Sequence, residues 1–445
     1  MKIKIGFVSL GCPKNLTDTE TMIGLLQGTG EIVTNPAEAD IIIVNTCAFI
    51  ESATQESIDT ILEMAEYKQA GTLKKLIVTG CMAQRYCDDV LKQFPEVDAV
   101  VGTGSYHEIT QVVREVLRGQ RSVHRGDIDT QTPEGLPRVL ATPSYSAYLK
   151  IADGCDNHCT YCIIPKLRGA YHSRSMEDIL QEARTLAAQG VSELNLIAQD
   201  TTRYGEDFYG ENRLPELLQK LEEIEEIHWI RLHYGYPERI SDALIDEMAR
   251  NKKVCKYIDM PLQHASDSVL QRMGRHITRQ EAAELIRKLR EKVPEIVIRS
   301  TFITGFPGET EEDFAQLKSF VQEMQFDRIG VFAYSQEEGT AAAQLPEQVE
   351  ESVKEARRQE IMELQQDISL AINEGKIDRR MEVLCEGQLP SGKYLGRTQG
   401  DSPEIDGSVI FDADATVPGE YVEILVTDAT EYDLEGRTLY EEEKI

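Results

Sequence analysis

The run Cys155-Asp-Asn-His-Cys159-Thr-Tyr-Cys162 brings three cysteines close together in the spacing C-x3-C-x2-C. Three thiolates at this spacing can wrap one face of a cubane cluster and leave one of its irons without a protein ligand. An open coordination position is what a metal site needs to bind a substrate, as catalytic zinc sites show by analogy. A zinc site would usually take a fourth ligand, but His158 lies between two of the cysteines. Its ring is predicted to face solvent or to support the ligands from behind.

Three further cysteines, Cys12, Cys47 and Cys81, lie far apart in the sequence but at equivalent places in a repeating pattern. Each follows a predicted strand, and helices are predicted between the strands, which indicates a parallel doubly wound sheet. Ligands bind outside the carboxyl ends of the strands in such sheets, so these side chains are expected to meet at one rim. A metal ion or an iron–sulfur cluster held by thiolates fits that rim. Each cysteine taken alone could instead be a buried, inert side chain.

The remaining cysteines, Cys87, Cys255 and Cys385, belong to neither set and are predicted to be structural. Nine cysteines, an odd number, argue against the disulfide framework of a secreted protein and favour a reducing compartment. The apolar stretch at the start is too short for a signal peptide and ends without a small-residue cleavage site. Because no segment approaches the length of a membrane span either, we expect a cytoplasmic protein that does not contact membranes.

The alternation of predicted strands and helices divides the chain into 1–120, a linker at 121–140, 141–375 and 376–445. In the first of these segments, the first helix is predicted over residues 17–27, with Thr17 as N-cap and Glu20 completing a capping box. Gly102-Thr-Gly104 follows a predicted strand and suggests a nucleotide-binding loop. The third glycine of that pattern is replaced by His107, so we reject this interpretation.

Segment 141–375 contains six predicted β/α units and is expected to form a partial barrel whose active face lies at the carboxyl ends of its strands. The first of these strands directly precedes Cys155. Small or polar residues follow the other strands, among them Gln199 and Gln263, and such loops suit a bound small molecule. Taken singly, each loop is as well explained by turn formation. In 376–445, five short predicted strands indicate a small β-barrel.

Acidic residues dominate the chain of 445 residues: 77 Asp and Glu stand against 47 Lys and Arg, for a net charge of −30. Residues 377–445 contain 17 Asp and Glu against 6 Lys and Arg, a net charge of −11. Such a surface would repel a phosphate backbone and attract a basic protein. The charge therefore argues against direct RNA binding through the C-terminal segment and favours a basic partner, although plain solubility is an alternative explanation.

A C-x3-C-x2-C run after the first strand of a partial β/α barrel resembles the radical S-adenosylmethionine (SAM) superfamily. The upstream segment with its own three cysteines narrows the resemblance to the methylthiotransferases, over essentially the whole chain. Three stretches look like the branch that acts on a ribosomal protein: Ser9-Leu-Gly-Cys12-Pro-Lys-Asn15-Leu, Ala198-Gln-Asp-Thr-Thr202 with Tyr204-Gly205, and Pro261-Leu-Gln-His-Ala265. The chain departs from the superfamily where Ala198-Gln199-Asp200-Thr201 replaces a common Gly-Gly-Glu stretch.

This resemblance implies three domains: an N-terminal doubly wound sheet, a central partial (β/α)6 radical SAM barrel and a C-terminal barrel similar to a TRAM domain. It also implies two 4Fe-4S clusters, one held by Cys155, Cys159 and Cys162 and an auxiliary one held by Cys12, Cys47 and Cys81. SAM would lie near Tyr161, Gln199 and Gln263, although ordinary packing explains Tyr161 nearly as well.

The implied reaction adds a methylthio group to the β-carbon of an aspartate of small-subunit ribosomal protein S-twelve. One SAM would be the methyl donor and another the radical source, with flavodoxin or ferredoxin as electron donor. Two alternatives stay open: a transfer-RNA methylthiotransferase, and a non-catalytic ribosome-assembly factor with structural zinc.

Overall fold

The computed structural model describes residues 2–439, and its N-terminal part is a six-stranded parallel sheet with helices on both faces. The strands are β1 (Lys4–Ser9), β2 (Glu31–Val33), β3 (Ile41–Thr46), β4 (Lys75–Gly80), β5 (Ala99–Val101) and β6 (Ser122–His124). The helices are α1 (Pro13–Leu26), α2 (Glu51–Gln69), α3 (Cys81–Gln93) and α4 (Ile109–Leu117). The order β2-β1-β3-β4-β5-β6 confirms the predicted doubly wound sheet.

Strand β3 shows why this sheet is readable in the sequence. Its residues are all buried, because Ile41 and Ile43 pack with α1 and α4 while Ile42 and Val44 pack with α2 and α3. Successive side chains of a strand point to opposite faces, so a strand covered on both sides is apolar throughout. The edge strands β2 and β6 have three residues each and no such run, and they were not predicted.

The predicted start of the first helix at Thr17 is wrong, because α1 begins at Pro13 with Cys12 as its N-cap. Proline is favoured at the first helical position, where its missing N–H would have no partner anyway. Thr17 lies inside the helix, and its hydroxyl donates to the carbonyl oxygen of Lys14. The earlier start places Cys12 directly at the helix N-terminus.

The central sheet is parallel, runs in sequential order and stays open. Its strands are β7 (Ser146–Lys150), β10 (Glu193–Ile197), β11 (Trp229–Leu232), β12 (Val254–Asp259), β13 (Val297–Thr304) and β14 (Arg328–Ala333), with the small pair β8 (Ala152–Asp153) and β9 (His172–Ser173) beside β7. The helices are α5 (Ile164–Arg168), α6 (Met176–Ala188), α7 (Glu206–Tyr209), α8 (Leu214–Glu222), α9 (Asp242–Arg250), α10 (Asp267–Arg272), α11 (Arg279–Lys292), α12 (Glu311–Met324) and α13 (Glu351–Glu374). This is the predicted partial barrel, and β7 and β14 border its open seam.

The C-terminal part is a closed barrel in the order β15-β16-β17-β19-β18. Its strands are β15 (Arg380–Gln388), β16 (Tyr394–Thr398), β17 (Val409–Asp412), β18 (Tyr421–Ala429) and β19 (Leu434–Thr438). This arrangement confirms the predicted five-stranded barrel, and the end of the predicted segment, 440–445, lies outside the described residues. Over residues 2–439, no helix has both the length and the apolar composition to cross a membrane.

Buried ion pairs fasten the C-terminal barrel to the central sheet. Glu193 at the start of β10 is fully buried and accepts two hydrogen bonds from Arg397 of β16, one of them at 2.7 Å. Arg231 of β11 approaches the same carboxylate at 3.2 Å. Burial alone would raise the pKa of Glu193, but the two arginines outweigh it and lower the pKa from 4.5 to about 2. The carboxylate is therefore charged at neutral pH and holds two cations.

Replacing Glu193 with glutamine is expected to lower the free energy of unfolding by about 3 kcal/mol at pH 7, because buried Arg231 loses its counter-ion and buried Arg397 keeps only Glu386. Since the folded-state pKa is depressed, this contribution is fully present above pH 4.5 and is lost as the pH falls towards 2. Urea unfolding between pH 7 and pH 3 measures it. Glu382→Gln is the matched control, since Glu382 pairs with His228 in an exposed contact between the same two parts. Equal effects of the two substitutions at pH 7 would contradict the assignment.

Candidate functional site

All six cysteines of the two predicted sets line one cavity of about 710 Å³. The cavity lies at the carboxyl ends of strands from both parallel sheets, where loops leave the sheets. The other three cysteines, Cys87, Cys255 and Cys385, are buried and are not part of its lining. The topology therefore brings together two groups of thiols that the sequence shows only as separate patterns.

Cys12, Cys47 and Cys81 meet because they follow β1, β3 and β4, which are neighbours in the sheet. Cys12 caps α1, Cys47 comes directly after β3, and Cys81 is the first residue of α3. The glycine before Cys81, Gly80, has φ +92°, and a Cβ there would lie 2.5 Å from the carbonyl oxygen of Thr46. Only glycine satisfies both the conformation and the space at this turn.

Asn15 ties the three loops of this first set together. Its side-chain nitrogen donates to the carbonyl oxygens of Leu10 and Thr46, both at 3.0 Å, which are close neighbours of Cys12 and Cys47 in the chain. Its side-chain oxygen lies 3.7 Å from the sulfur of Cys81. One buried amide thus fixes the relative positions of all three cysteine-bearing loops.

Arg168 connects the first set to the segment that carries the second. It lies at the end of α5, shortly after Cys162, and donates to the side-chain oxygen of Asn15 at 2.7 Å. It also pairs with Asp18 of α1 at 2.9 Å and with Asp153 of β8 at 3.0 Å. Because all these groups are buried or nearly so, this network holds the two cysteine sets at a fixed separation.

The second set lies in the loop between β8 and α5. Gly154 precedes Cys155 with φ +76°, and a Cβ there would come within 1.8 Å of the carbonyl oxygen of Ala170. Within the loop, the N–H of Cys162 donates to the carbonyl oxygen of Cys159 at 3.0 Å. The N–H of Thr160 donates to the carbonyl oxygen of Met273 at 2.9 Å, which anchors the loop to the end of α10. His158 is exposed, as predicted.

Burial raises the pKa of several cysteine thiols in the cavity. It raises the pKa of Cys81 to about 12, with the charge of Arg168 opposing it, and the pKa of Cys162 to about 12. Burial likewise raises the pKa of Cys155 to about 11. A metal replaces the proton of a ligating thiol, so loading this site requires proton release. Basic side chains that line the cavity, Lys14, Arg168 and Arg275, suit an anionic group made of thiolates.

The donor set fits thiolate-held clusters, since each set offers three cysteines and the sulfurs share one enclosure. Within residues 2–439, no three His, Cys, Asp or Glu side chains lie close enough together to bind a single metal ion. The cavity also contains a buried acceptor, the side-chain oxygen Oε1 of Gln199, for which residues 2–439 supply no hydrogen-bond partner. A bound cofactor with a donor group would satisfy it.

Tyr161, Gln199 and Gln263, the residues predicted to contact SAM, all line this cavity. The amide nitrogen of Gln199 donates to Asp153 at 2.8 Å, which leaves Oε1 as the free acceptor. Gln263 has φ +74° and is held by backbone hydrogen bonds with Thr301 and Ile303 of β13. Tyr161 also packs partly against a small apolar cluster near α10, so packing alone is enough to explain its position. Their role in binding SAM stays a prediction.

Several cavity residues were not predicted, namely Lys14, Arg168, Tyr234, Arg275, Phe332, Glu404 and Ile405. The nitrogen Nζ of Lys14 lies 3.2 Å from the centre of the Tyr234 ring, which joins the N-terminal sheet to the loop after β11. Neither residue has a local spacing pattern that marks it. Lys14 and Asn15 do stand in the stretch Cys12-Pro-Lys-Asn, which was noted only as a family likeness.

Three family models match successive parts of the chain. Residues 4–102 match the uncharacterized protein family UPF0004, residues 149–321 match the radical SAM superfamily, and residues 377–439 match the TRAM domain. The second match begins in β7 and includes the whole C-x3-C-x2-C run. The third coincides with the closed barrel.

Curated relatives match almost the full length. A protein of Lachnoclostridium phytofermentans called ribosomal protein uS12 methylthiotransferase RimO is 53% identical over 98% of this chain and 99% of its own length. One of the same name from Clostridioides difficile is 51% identical over 99% of both chains. A third, from Pelotomaculum thermopropionicum, is 52% identical over 99% of this chain and all of its own.

Solved structures support the fold alone. The radical S-adenosylmethionine methyltransferase TsrM from Kitasatospora setae covers 74% of this chain, and this chain covers 73% of that one, with a TM-score of 0.54 at 15% identity. The cobalamin-dependent radical enzyme OxsB covers 82% of this chain, which covers 56% of it, with a TM-score of 0.54 at 12% identity.

Proposed function

This chain belongs to the family of ribosomal protein uS12 methylthiotransferases, and on that premise we propose that it adds a methylthio group to the β-carbon of an aspartate of uS12. It is a radical SAM enzyme with a 4Fe-4S cluster and SAM as cofactors. The observation that carries the proposal is the single cavity bordered by both cysteine sets. The proposed reaction first activates a substrate carbon and then joins it to sulfur. The group that activates the carbon and the group that supplies the sulfur must therefore both reach the same substrate atom.

We assign Cys155, Cys159 and Cys162 to the radical cluster and Cys12, Cys47 and Cys81 to a second 4Fe-4S cluster that would supply the methylthio sulfur. When bound, the radical cluster and SAM supply the one-electron chemistry that breaks an unactivated C–H bond, which acid–base side chains do not reach. The chain's own part is placement. Asn15 and Arg168 fix one thiol set relative to the other, and Gln199 offers its Oε1 to the cofactor.

The acidic C-terminal segment supports a basic protein as substrate rather than RNA, because residues 377–445 contain 17 Asp and Glu but only 6 Lys and Arg. We propose that uS12 is taken free or on the ribosome, in the cytoplasm, with flavodoxin or ferredoxin as electron donor. The transfer-RNA alternative would require the opposite charge on this barrel.

Mass spectrometry of purified uS12 and of transfer RNA after reaction with the reconstituted enzyme tests the proposal. We expect uS12 to gain the mass of one methylthio group in place of hydrogen, on an aspartate, and transfer RNA to stay unmodified. Modification of transfer RNA alone would overturn the substrate assignment. Zinc in place of iron and sulfide, with neither substrate modified, would favour the assembly-factor alternative.

A further inference from the structure

A loop of the C-terminal barrel reaches the mouth of the catalytic cavity. Residues 399–408 connect β16 to β17, and two of them, Glu404 and Ile405, line the cavity that holds the six cysteines. Two residues on the edge strands of the open central sheet line it as well, Tyr148 of β7 and Phe332 of β14. The loop therefore stands at the open seam of the partial barrel, where the sheet leaves an entrance.

Ion pairs and a hydrogen bond fix both ends of this loop to the central sheet. Asp401 pairs with Arg328 of β14 at 3.0 Å, and Asp406 pairs with Arg299 of β13 at 3.3 Å. Asp406 also accepts a hydrogen bond from the hydroxyl of Tyr257 at 2.9 Å. The aspartates and their partners are largely buried, so the two ends of the segment are fixed while its middle projects outward.

The projecting residues have no structural task that the described part of the chain reveals. Among the partners available in residues 2–439, Glu404 has neither a hydrogen bond nor an ion pair, and it adopts φ +64°, which is unfavourable for a side chain of its type. Ile405 is 47% exposed and Phe332 is 52% exposed, although both are large and apolar. Exposed apolar side chains grouped at a cavity mouth are typical of a binding surface.

Charge is distributed unequally between the interior and the mouth of the cavity. The interior arginines already have carboxylate partners, since Arg168 pairs with Asp18 and Asp153 and Arg275 pairs with Glu238. Glu404 is the one acidic residue among the lining residues that the structure describes, and it has no such partner there. Glu404 and Tyr148 line the cavity together, and the pKa of Tyr148 is raised by burial first and by the charge of Glu404 second. An unpaired carboxylate at the mouth complements a lysine or arginine next to the target residue of a protein substrate.

The entrance continues beyond the mouth. A second cavity of about 410 Å³ lies between β7 and the C-terminal barrel, and it shares Tyr148 and Glu404 with the first. An extended polypeptide that places one residue in the catalytic cavity could therefore lay its neighbours along this second space. The carboxylate of Glu404, which lines both cavities, disfavours a nucleic acid there.

We propose that Phe332, Glu404 and Ile405, the seam rim, dock a basic segment of the protein substrate, with a lysine or arginine beside the target aspartate facing Glu404. This proposal rests on the proposed function, since it assumes a basic protein as substrate. It makes the C-terminal barrel a direct part of substrate selection at the site of chemistry.

Binding of purified uS12 to the full-length chain, measured by biolayer interferometry at low and high salt, tests the charge. We expect Glu404→Gln to weaken binding about 5-fold and Glu404→Lys about 20-fold at low salt, with smaller effects at high salt. Glu423→Gln is the matched control, because Glu423 is exposed on β18 of the same barrel and does not line the cavity. It should stay within about twofold of wild type.

The apolar part is tested by Phe332→Ala against Phe208→Ala, since Phe208 is 50% exposed and lies away from the cavity. We expect about 5-fold weaker binding for the first and wild-type binding for the second. In Phe332→Ala, the fold-loss in uS12 affinity should exceed the fold-loss in the rate of SAM cleavage measured without uS12.

Equal binding by wild type, Glu404→Lys and Phe332→Ala would overturn the seam rim, as would a parallel loss of SAM cleavage, which would place these residues at the cofactor. Binding of labelled transfer RNA that Glu404→Lys strengthens, with uS12 binding unchanged by the same substitution, would assign the rim to RNA. Failure of the wild type to modify uS12 would instead overturn the proposed function, and the two failures are therefore distinguishable.

Discussion

Replacement of Cys159 by alanine is expected to abolish SAM cleavage and methylthiolation together, to below about a thousandth of the wild-type rates, because the cofactor carries the radical chemistry. The loop would keep its shape, since its anchors are backbone hydrogen bonds such as that from Thr160 to Met273. Iron in the reconstituted protein should fall from about eight to about four per chain. Iron analysis and chromatography of 5′-deoxyadenosine measure both effects.

Cys87→Ala is the matched control, because Cys87 is buried in α3 outside the cavity. It removes a thiol that is more deeply buried than Cys159 without removing a proposed ligand, so iron content and SAM cleavage should stay at the wild-type level. A Cys159→Ala protein that keeps its iron and still cleaves SAM would contradict the assignment of Cys155, Cys159 and Cys162 to the radical cluster.

Cys47→Ala is expected to separate the two chemistries. Iron should again fall to about four per chain, and uS12 methylthiolation should drop below about a thousandth of wild type, whereas 5′-deoxyadenosine should still form. The reason is that Cys47 belongs to the set on the N-terminal sheet, while the C-x3-C-x2-C loop has its own anchors. Product analysis of a single reaction mixture gives both quantities.

Gly80→Ala independently tests whether the cysteines on the N-terminal sheet are needed for methylthiolation, and it does so without removing a sulfur. The residue has φ +92°, and an added Cβ would meet the backbone of Thr46, so Cys81 would shift relative to Cys47. We expect the Cys47→Ala pattern in a milder form. Gly119→Ala, also at positive φ but with open space around it, controls for backbone strain alone. If Cys47→Ala left methylthiolation intact, the assignment of a cluster to Cys12, Cys47 and Cys81 would be wrong.

Much of the architecture was predictable because it is written in local patterns. The continuous apolar run of β3 marks a strand buried on both faces, and the places of Cys12, Cys47 and Cys81 after successive predicted strands imply that they meet. Strands β2 and β6 were missed because three residues at a sheet edge leave no periodic signal.

Contacts between distant segments were beyond local patterns. The hydrogen bond from Arg168 to Asn15 joins residues 153 positions apart, and the pair of Arg397 with Glu193 joins residues 204 positions apart. Asn15 stands in the family-like stretch after Cys12, but nothing near Arg168, Glu193 or Arg397 in the sequence distinguishes these three from ordinary charged surface groups. The seam rim was hidden for the same reason, since Phe332 and Glu404 approach only when the C-terminal barrel is docked.

The buried carboxylate of Glu193 limits how this protein can be rearranged in evolution or engineering. Two arginines from different parts of the chain depend on it, Arg231 in the central sheet and Arg397 in the C-terminal barrel. Deleting the barrel would uncover Glu193 and Arg231, and exchanging it for one without the matching arginine would leave Glu193 underpaired. The C-terminal barrel is therefore not an interchangeable module, and a functional swap would have to carry its partner residues on β10 and β11 with it.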